Sequence, residues 1–199
     1  MFLGDNMSKW GIEEKETLEA INKIGFKGNI LDVASGDGRF INSLLELSDK
    51  VIAIDINKNE LESIKNISNK LYTEVVDITK RFPYEDNSFD GVFCTGTLHL
   101  FNKETLTFIL KEINRCLKHG GKIVLDFATD IERLDNNGNK VVFENEGNYN
   151  TNEAIELFKE ELNNFSLDIQ VSTFMEENLE NIEYKSIRGN FLIISGIKQ

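Results

Sequence analysis

Proline and cysteine are nearly missing from this chain, and so is any long apolar run. The 199 residues include one proline, Pro83, and two cysteines, Cys94 and Cys116, in no C-x-x-C spacing. Such a chain has neither a disulfide framework nor a zinc-binding pattern, and a reducing compartment suits it. No apolar stretch approaches the roughly 20 residues that a membrane helix needs, and no basic segment with an apolar core opens the sequence. A cytoplasmic protein without membrane contact is expected. Positive charge is also scarce, with 22 Lys and Arg against 34 Asp and Glu and a net charge of −12. That balance opposes long-range attraction to nucleic acid or an anionic membrane and favours a small molecule or a cationic protein surface as partner. There is no internal repeat, linker or low-complexity tract, so residues 1–199 are expected to form one domain.

What the chain does have is a short apolar run at residues 29–40, N-I-L-D-V-A-S-G-D-G-R-F. It contains the carboxylate Asp32 and then breaks into small residues with two glycines, Gly36 and Gly38. That order predicts a buried strand, a tight turn and a helix start. Glycine accepts backbone angles closed to other residues, and the free N–H groups of a helix start leave a positive end exposed. Such a turn suits a cofactor cradle.

Around it, apolar periodicity predicts alternating helices and strands. Leu18, Ile21 and Ile24 mark a helix over residues 13–24 that stops at Gly25. Trp10, the only tryptophan, precedes it, either as a lid residue over a substrate or as a ring packed on the helix. Phe40, Leu44, Leu45 and Leu47 stripe the next helix, and residues 51–56 form a second strand that carries Asp55. Asn57 and Glu60 resemble a capping box for the helix with Leu61, Ile64 and Ile67. A third strand at 71–76 is closed by Asp77, a loop contains Pro83, and a fourth strand covers 89–95. A helix striped by Leu106, Ile109, Leu110, Ile113 and Leu117 is expected to end at Lys118-His119-Gly120-Gly121, with His119 as a capping cation. Residues 122–128 form a fifth strand.

The pattern changes after Asp130. A turn cluster at 135–139 between residues 131–134 and 141–143 predicts a surface β-hairpin. A helix over 152–162 and strands at 167–175 and 191–197 follow, with a connection short enough for an antiparallel finish. The expected fold is α/β, a doubly wound, Rossmann-like, mostly parallel seven-stranded sheet with an antiparallel last strand and a hairpin insertion. Its expected parts are an N-terminal helical cap (1–27), a cofactor-binding core (28–130), the hairpin insertion (131–150) and a C-terminal helix with strands (151–199).

Asp32, Asp55 and Asp77 close successive strands, and in a parallel sheet the three ends share the edge where open α/β sheets bind ligands. Asp55 lies 19 residues beyond Gly36, the spacing of an acid that takes two ribose hydroxyls. A nucleoside-bearing cofactor is indicated. A nicotinamide or flavin fingerprint would need a third glycine at position 41, which is Ile41, and Asp32 would repel a pyrophosphate. An acid there suits a cationic group such as the ammonium of a methionyl tail.

Residues 30–128 resemble the core of the class I S-adenosylmethionine-dependent methyltransferases, in the small-molecule, ubiquinone-type (type 11-like) branch. The resemblance is carried by I-L-D-V-A-S-G-D-G-R-F, V-I-A-I-D-I-N, V-V-D-I followed by F-P-Y-E-D-N-S-F-D-G-V-F, and R-C-L-K-H-G-G-K-I-V-L-D-F, in that order. It implies S-adenosylmethionine as methyl donor, S-adenosylhomocysteine as product, and no metal. It further implies that Asp32 with Ala34, Ser35, Gly36, Asp37 and Gly38 holds the methionine part, and Asp55 the ribose. Ile56 would cover one adenine face, Asp77 and the Ile78 backbone would meet the adenine edge, and Thr95 would lie beside the sulfonium. Two positions depart from the family: Ala34 replaces its first glycine, tolerable if φ stays negative, and His119 replaces the proline before the paired glycines.

For the acceptor, His99 in T-G-T-L-H-L-F is the candidate general base, against a histidine that only packs. Asp126 and Asp130 could face the same crevice and favour a cationic acceptor, or be satisfied by neighbouring backbone. Cys94 reads as a small buried hydrophobe. No N-P-P-Y tetrad and no Pro-Cys pair is present, which disfavours a nucleic-acid base methylase and leaves a tRNA acceptor open. The expected activity is methyl transfer to a small molecule or a protein, by a monomer or homodimer. The alternatives are a catalytically silent cofactor-binding module and a nicotinamide oxidoreductase.

Overall fold

The computed structural model describes residues 14–143, 146–179 and 182–199. The first helix, α1 (Glu14–Ile24), lays Ala20 and Ile21 on the sheet and stops where Gly25, at φ +63°, donates its N–H to the Ile21 carbonyl. There follow β1 (Asn29–Val33), α2 (Ile41–Leu47), β2 (Lys50–Asp55), α3 (Lys58–Ile64), β3 (Leu71–Val75) and β4 (Phe89–Cys94). A single 3-10 turn at Leu98–Leu100 leads into α4 (Lys103–Cys116), β5 (Leu117–Leu134), α5 (Thr151–Glu161), β6 (Phe165–Glu176) and β7 (Ser186–Lys198).

The seven strands form one sheet in the order β3-β2-β1-β4-β5-β7-β6. The first five run parallel, while β7 inserts antiparallel between β5 and β6. The antiparallel finish follows from chain length, because the short connection from β6 to β7 cannot carry a crossover helix. Strand order reverses between β1 and β4, which opens a crevice at their carboxyl ends.

Alternation along the strands divides the core into two layers. Leu31, Val33, Val92, Cys94, Leu125 and Phe127 pack with α4 and α5 on one face. Ile30, Ala53, Phe93, Val124 and Ala128 pack with α1, α2 and α3 on the other. Asp32 and Asp126 fall in the alternation of this second layer.

Three expectations need correction. The helix expected to end at Lys118–Gly121 stops at Cys116, because the chain passes straight into β5, which already pairs at Leu117 with Phe89. The carbonyls of Asn114 and Leu117 are satisfied by the Lys198 ammonium at 2.6 and 2.7 Å, so His119 caps nothing and lies with Nδ1 2.9 Å from the Gln199 carbonyl. The hairpin turns back at Asp135–Asn139, but its first arm is the end of β5, paired with β7 from Glu132↔Arg188 to Leu134↔Ser186. Its return arm keeps one bridge, Leu134↔Lys140, and one bond from the Val141 N–H to the Arg133 carbonyl. In the capping box, the Asn57 side chain accepts from Asn59, but the Asn57 N–H goes to Asp55 Oδ1 at 2.7 Å and not to Glu60.

The loop containing Pro83 is held by side chains. Glu112 on α4 is buried and accepts the Phe82 N–H at 2.8 Å, while Arg115 reaches the carbonyls of Phe82 and Tyr84. Charge-assisted bonds of this kind satisfy a loop that carries no ladder of its own.

Candidate functional site

The turn after β1 is built from backbone. Ser35 donates its N–H to the Ile54 carbonyl at 3.0 Å, and Gly38 closes a turn onto Ser35 at 2.9 Å. Gly36 and Gly38 adopt φ of +52° and +76°. A Cβ at Gly38 would strike Ile64 on α3, whereas one at Gly36 would meet nothing within 4 Å among the described residues, which leave open space beside it. Ala34 overturns the expectation of negative φ, since it stands at φ +56°. An L-residue there stores on the order of 1–2 kcal/mol of strain, which a glycine would avoid.

Asp55, the last residue of β2, locks this turn. Its Oδ2 accepts the Gly36 N–H at 2.9 Å and its Oδ1 accepts the Asn57 N–H at 2.7 Å, and each carboxylate oxygen has capacity for a further donor. The neighbouring Ile56 is 70% exposed, an unusual state for isoleucine that a flat apolar ligand face would relieve. Asp37 is exposed and Ser35 is partly buried, with a hydroxyl oxygen that is enclosed and without a partner.

Asp32 is 3% exposed and its carboxyl is held well above the usual range, first by burial and then by repulsion from Asp55. The Cys94 thiol, buried at the end of β4, is pushed up by burial and then by Asp126, Asp32 and Asp55. Three carboxylates therefore converge on the end of β4, and the third is Asp126, not Asp77. Asp77 lies two residues past β3 and serves its own turn. Its carboxylate takes the N–H and hydroxyl of Thr79 at 3.0 and 2.6 Å and pairs with Lys80 at 2.9 Å, which pulls its pKa to about 2. Ile78 is buried in the α4 layer.

On the far side of β4, Thr95 is partly buried and Gly96, at φ +69°, again borders open space. Gly96 donates its N–H to Asp126 Oδ1 at 2.7 Å. Asp126 is 2% exposed, its Oδ2 has no partner among the described residues, and burial pushes its pKa up to about 7. His99 sits in the 3-10 turn with its ring edge-on to Phe127 at 6.3 Å and an enclosed Nδ1 that has no partner. Burial holds its pKa down to about 4, so it is neutral and a weak base, better described as packing. Asp130, at φ +51°, is committed to structure, because its Oδ2 accepts from the Thr151 N–H and hydroxyl and from Asn190. Trp10 lies outside the described residues.

Sequence reasoning missed a cluster just beyond. Arg133, on the extension of β5, makes two 2.7 Å bonds to Glu146 while its guanidinium lies 5.0 and 5.5 Å from the rings of Phe143 and Tyr184. Its members are separated by up to 51 positions, 133 to 184, so no local pattern announces them. A pocket of about 270 Å³ opens beside it, lined by Ala128, Asp130, Ile131 and residues 147–150.

The chain matches the family described as "Methyltransferase domain" over residues 31–125. That match, just under half of the chain, supports a class I S-adenosylmethionine-dependent methyltransferase. Phosphoethanolamine N-methyltransferase 1 of Triticum aestivum is 29% identical over 118 residues, 57% of this chain and 24% of that protein. Malonyl-[acyl-carrier protein] O-methyltransferase of Buchnera aphidicola is 32% identical over 99 residues, 50% of this chain and 39% of that protein. The matches thus span a quarter to two-fifths of these curated relatives. Among solved structures, the S-adenosylmethionine-dependent methyltransferase from Mesorhizobium loti superposes with a TM-score of 0.64 at 15% identity, over 94% of this chain and 99% of that one. The DhpI complex with S-adenosylhomocysteine gives 0.63 at 16% identity, over 90% and 82%. At these identities the structures establish the fold alone.

Proposed function

We propose that this chain binds S-adenosylmethionine in the crevice between β1 and β4 and transfers its methyl group to a small-molecule or protein acceptor. The observation that carries the proposal is the Asp55 carboxylate clamped to the Gly36 N–H, which fixes an acid beside a turn bordered by open space. Asp55 would take the ribose hydroxyls, Ile56 one adenine face, and the Ile78 backbone the adenine edge, with Asp77 shaping that turn. The methionyl ammonium would lie against Asp32, and the 34–38 turn, with the partnerless Ser35 hydroxyl, would receive the rest of that tail. The fit is chemical: buried carboxylates that cost free energy alone gain a cationic partner.

The donor supplies an already activated methyl group, so the chain's residues chiefly orient the reactants and exclude water. Thr95 would lie beside the reacting sulfur. Residues 1–27 and the insertion at 131–150 would select the acceptor, since they lie outside the cofactor-binding core.

Titration calorimetry with S-adenosylhomocysteine, S-adenosylmethionine and NAD tests this reading. One site per chain for the two adenosyl ligands, lost in Asp55→Ala, is the expected result; binding of NAD alone would overturn it. A catalytically silent binder is the second reading, and methyl transfer to any acceptor in cell extract separates the two.

A further inference from the structure

We propose that Asp126 Oδ2 faces the position of the transferred methyl group and accepts the proton that a protonated amine acceptor must shed. This inference rests on the cofactor reading above and adds to it a proton acceptor and an acceptor class.

Placement comes first. Asp126 lies one step beyond the Cys94↔Leu125 pair, beside Thr95 at the carboxyl end of β4, and opposite Ile193 on β7. It shares a sheet face with Asp32, with the β4 residue Phe93 between the two strands and Phe40 stacked edge-on to Phe93 at 5.4 Å. Both rings are buried, so the two carboxylates are separated by apolar side chains.

Orientation comes second. The Gly96 N–H holds Oδ1 at 2.7 Å, and among the described residues Oδ2 is without a partner. A buried carboxylate oxygen with no donor is costly, and native structures retain one where a ligand or a proton completes it. Gly96 borders open space, so the loop that orients the carboxyl also bounds the crevice.

Charge comes third. Among the described residues, the groups that act on the protonation of Asp126 are the Gly96 N–H and the Arg39 guanidinium after β1; the Cys94 thiol beside it is itself pushed up by Asp126, and Ile193 opposite it on β7 is apolar. Burial outweighs the Gly96 N–H and Arg39 and brings the carboxyl to about 7. A base poised there exchanges protons at neutral pH, as His99 at about 4 does not.

The step balances. An ammonium acceptor passes its proton to Asp126 Oδ2, its freed lone pair forms the bond to the methyl carbon, and the carbon–sulfur bonding pair stays on sulfur. An acidic wall also draws a cation toward it and discriminates against carboxylate or phosphate at the reacting end.

The test needs no acceptor. S-adenosylmethionine carries a methylsulfonium, S-adenosylhomocysteine a neutral thioether, and sinefungin an amine-bearing carbon in the same place. Affinities of the three are measured by calorimetry between pH 5.5 and 8.5 for the wild type and Asp126→Asn. An ionised carboxylate favours the two cations, so their preference over the thioether should rise about tenfold across pH 7, the equivalent of one pKa unit. Asp126→Asn should flatten that rise while S-adenosylhomocysteine still binds. A preference in the wild type that is independent of pH, or one that Asp126→Asn leaves unchanged, overturns the proposal. Failure of all three ligands to bind the wild type would instead overturn the cofactor reading beneath it.

Discussion

The two sides of the β1–β4 crevice are built by different means. Around β1 and β2, the turn is held by backbone bonds and by Asp55, which spans only 19 positions to reach Gly36, and the Ser35 hydroxyl is its partnerless buried atom among the described residues. Beyond β4, the rim is assembled from side chains far apart in sequence, such as Asp126 on Gly96 and Arg133 on Glu146, and it retains partnerless buried atoms on Asp126, His99 and Arg133. A rim of main chain suits a ligand shared across a family. One of side chains can be rebuilt for each acceptor without disturbing the fold.

The largest effect should come from the side-chain rim. Arg133→Met removes one partner of a buried pair and leaves Glu146 uncompensated, which costs about 3–5 kcal/mol. Denaturant unfolding should register that loss, and Arg133→Met combined with Glu146→Leu should recover part of it. Equal destabilisation by the single and double variants would show that the uncompensated Glu146 charge is not the source of the loss.

Asp126→Asn should act in the opposite sense on the free protein. The folded carboxyl titrates at about 7 and the unfolded one near 3.9, so folding binds a proton between those values and stability falls as pH rises from 4 to 7. Asparagine removes that loss, so the variant should gain roughly 2–4 kcal/mol over wild type at pH 8 and nothing near pH 3. A gain that does not vary with pH would break the link to titration.

His99 predicts the mirror image. Its folded pKa of about 4 lies below the unfolded value near 6.5, so stability is full above 6.5 and is lost as pH falls to 4. His99→Phe should remove on the order of 2–3 kcal/mol of that acid loss in thermal melts at pH 4 against pH 7.

The smallest effect belongs to the main-chain rim. Ala34→Gly relieves a left-handed residue but adds unfolded-state entropy, for a net gain of roughly 0.5–1 kcal/mol. A melting temperature that falls would mean the alanine methyl packs well enough to offset its strain.

This contrast also explains what could be read from the amino-acid sequence. The alternation of strands and helices, the seven-stranded sheet with its antiparallel finish and the places of Asp32 on β1 and Asp55 at the end of β2 were legible, since each rests on period, short spacing or chain length. The sign of φ at Ala34, the true end of α4 at Cys116 and the merging of the hairpin arm into β5 were not, because distant groups decide them: Lys198 caps the helix and β7 captures residues 132–134. The turn bonds of Asp77 were not legible for a related reason. A strand-ending acid and a turn-capping acid look alike until Thr79 and Lys80 are seen to hold it. The Arg133 cluster carried no local signal at all.

A structure of this chain crystallised with S-adenosylhomocysteine is the most direct test. It should show the ribose hydroxyls on Asp55, the methionyl tail over residues 34–38, and the sulfur between Thr95 and Asp126. Density for the ligand anywhere other than the β1–β4 crevice, or a crevice that excludes it at saturating concentration, would contradict that arrangement.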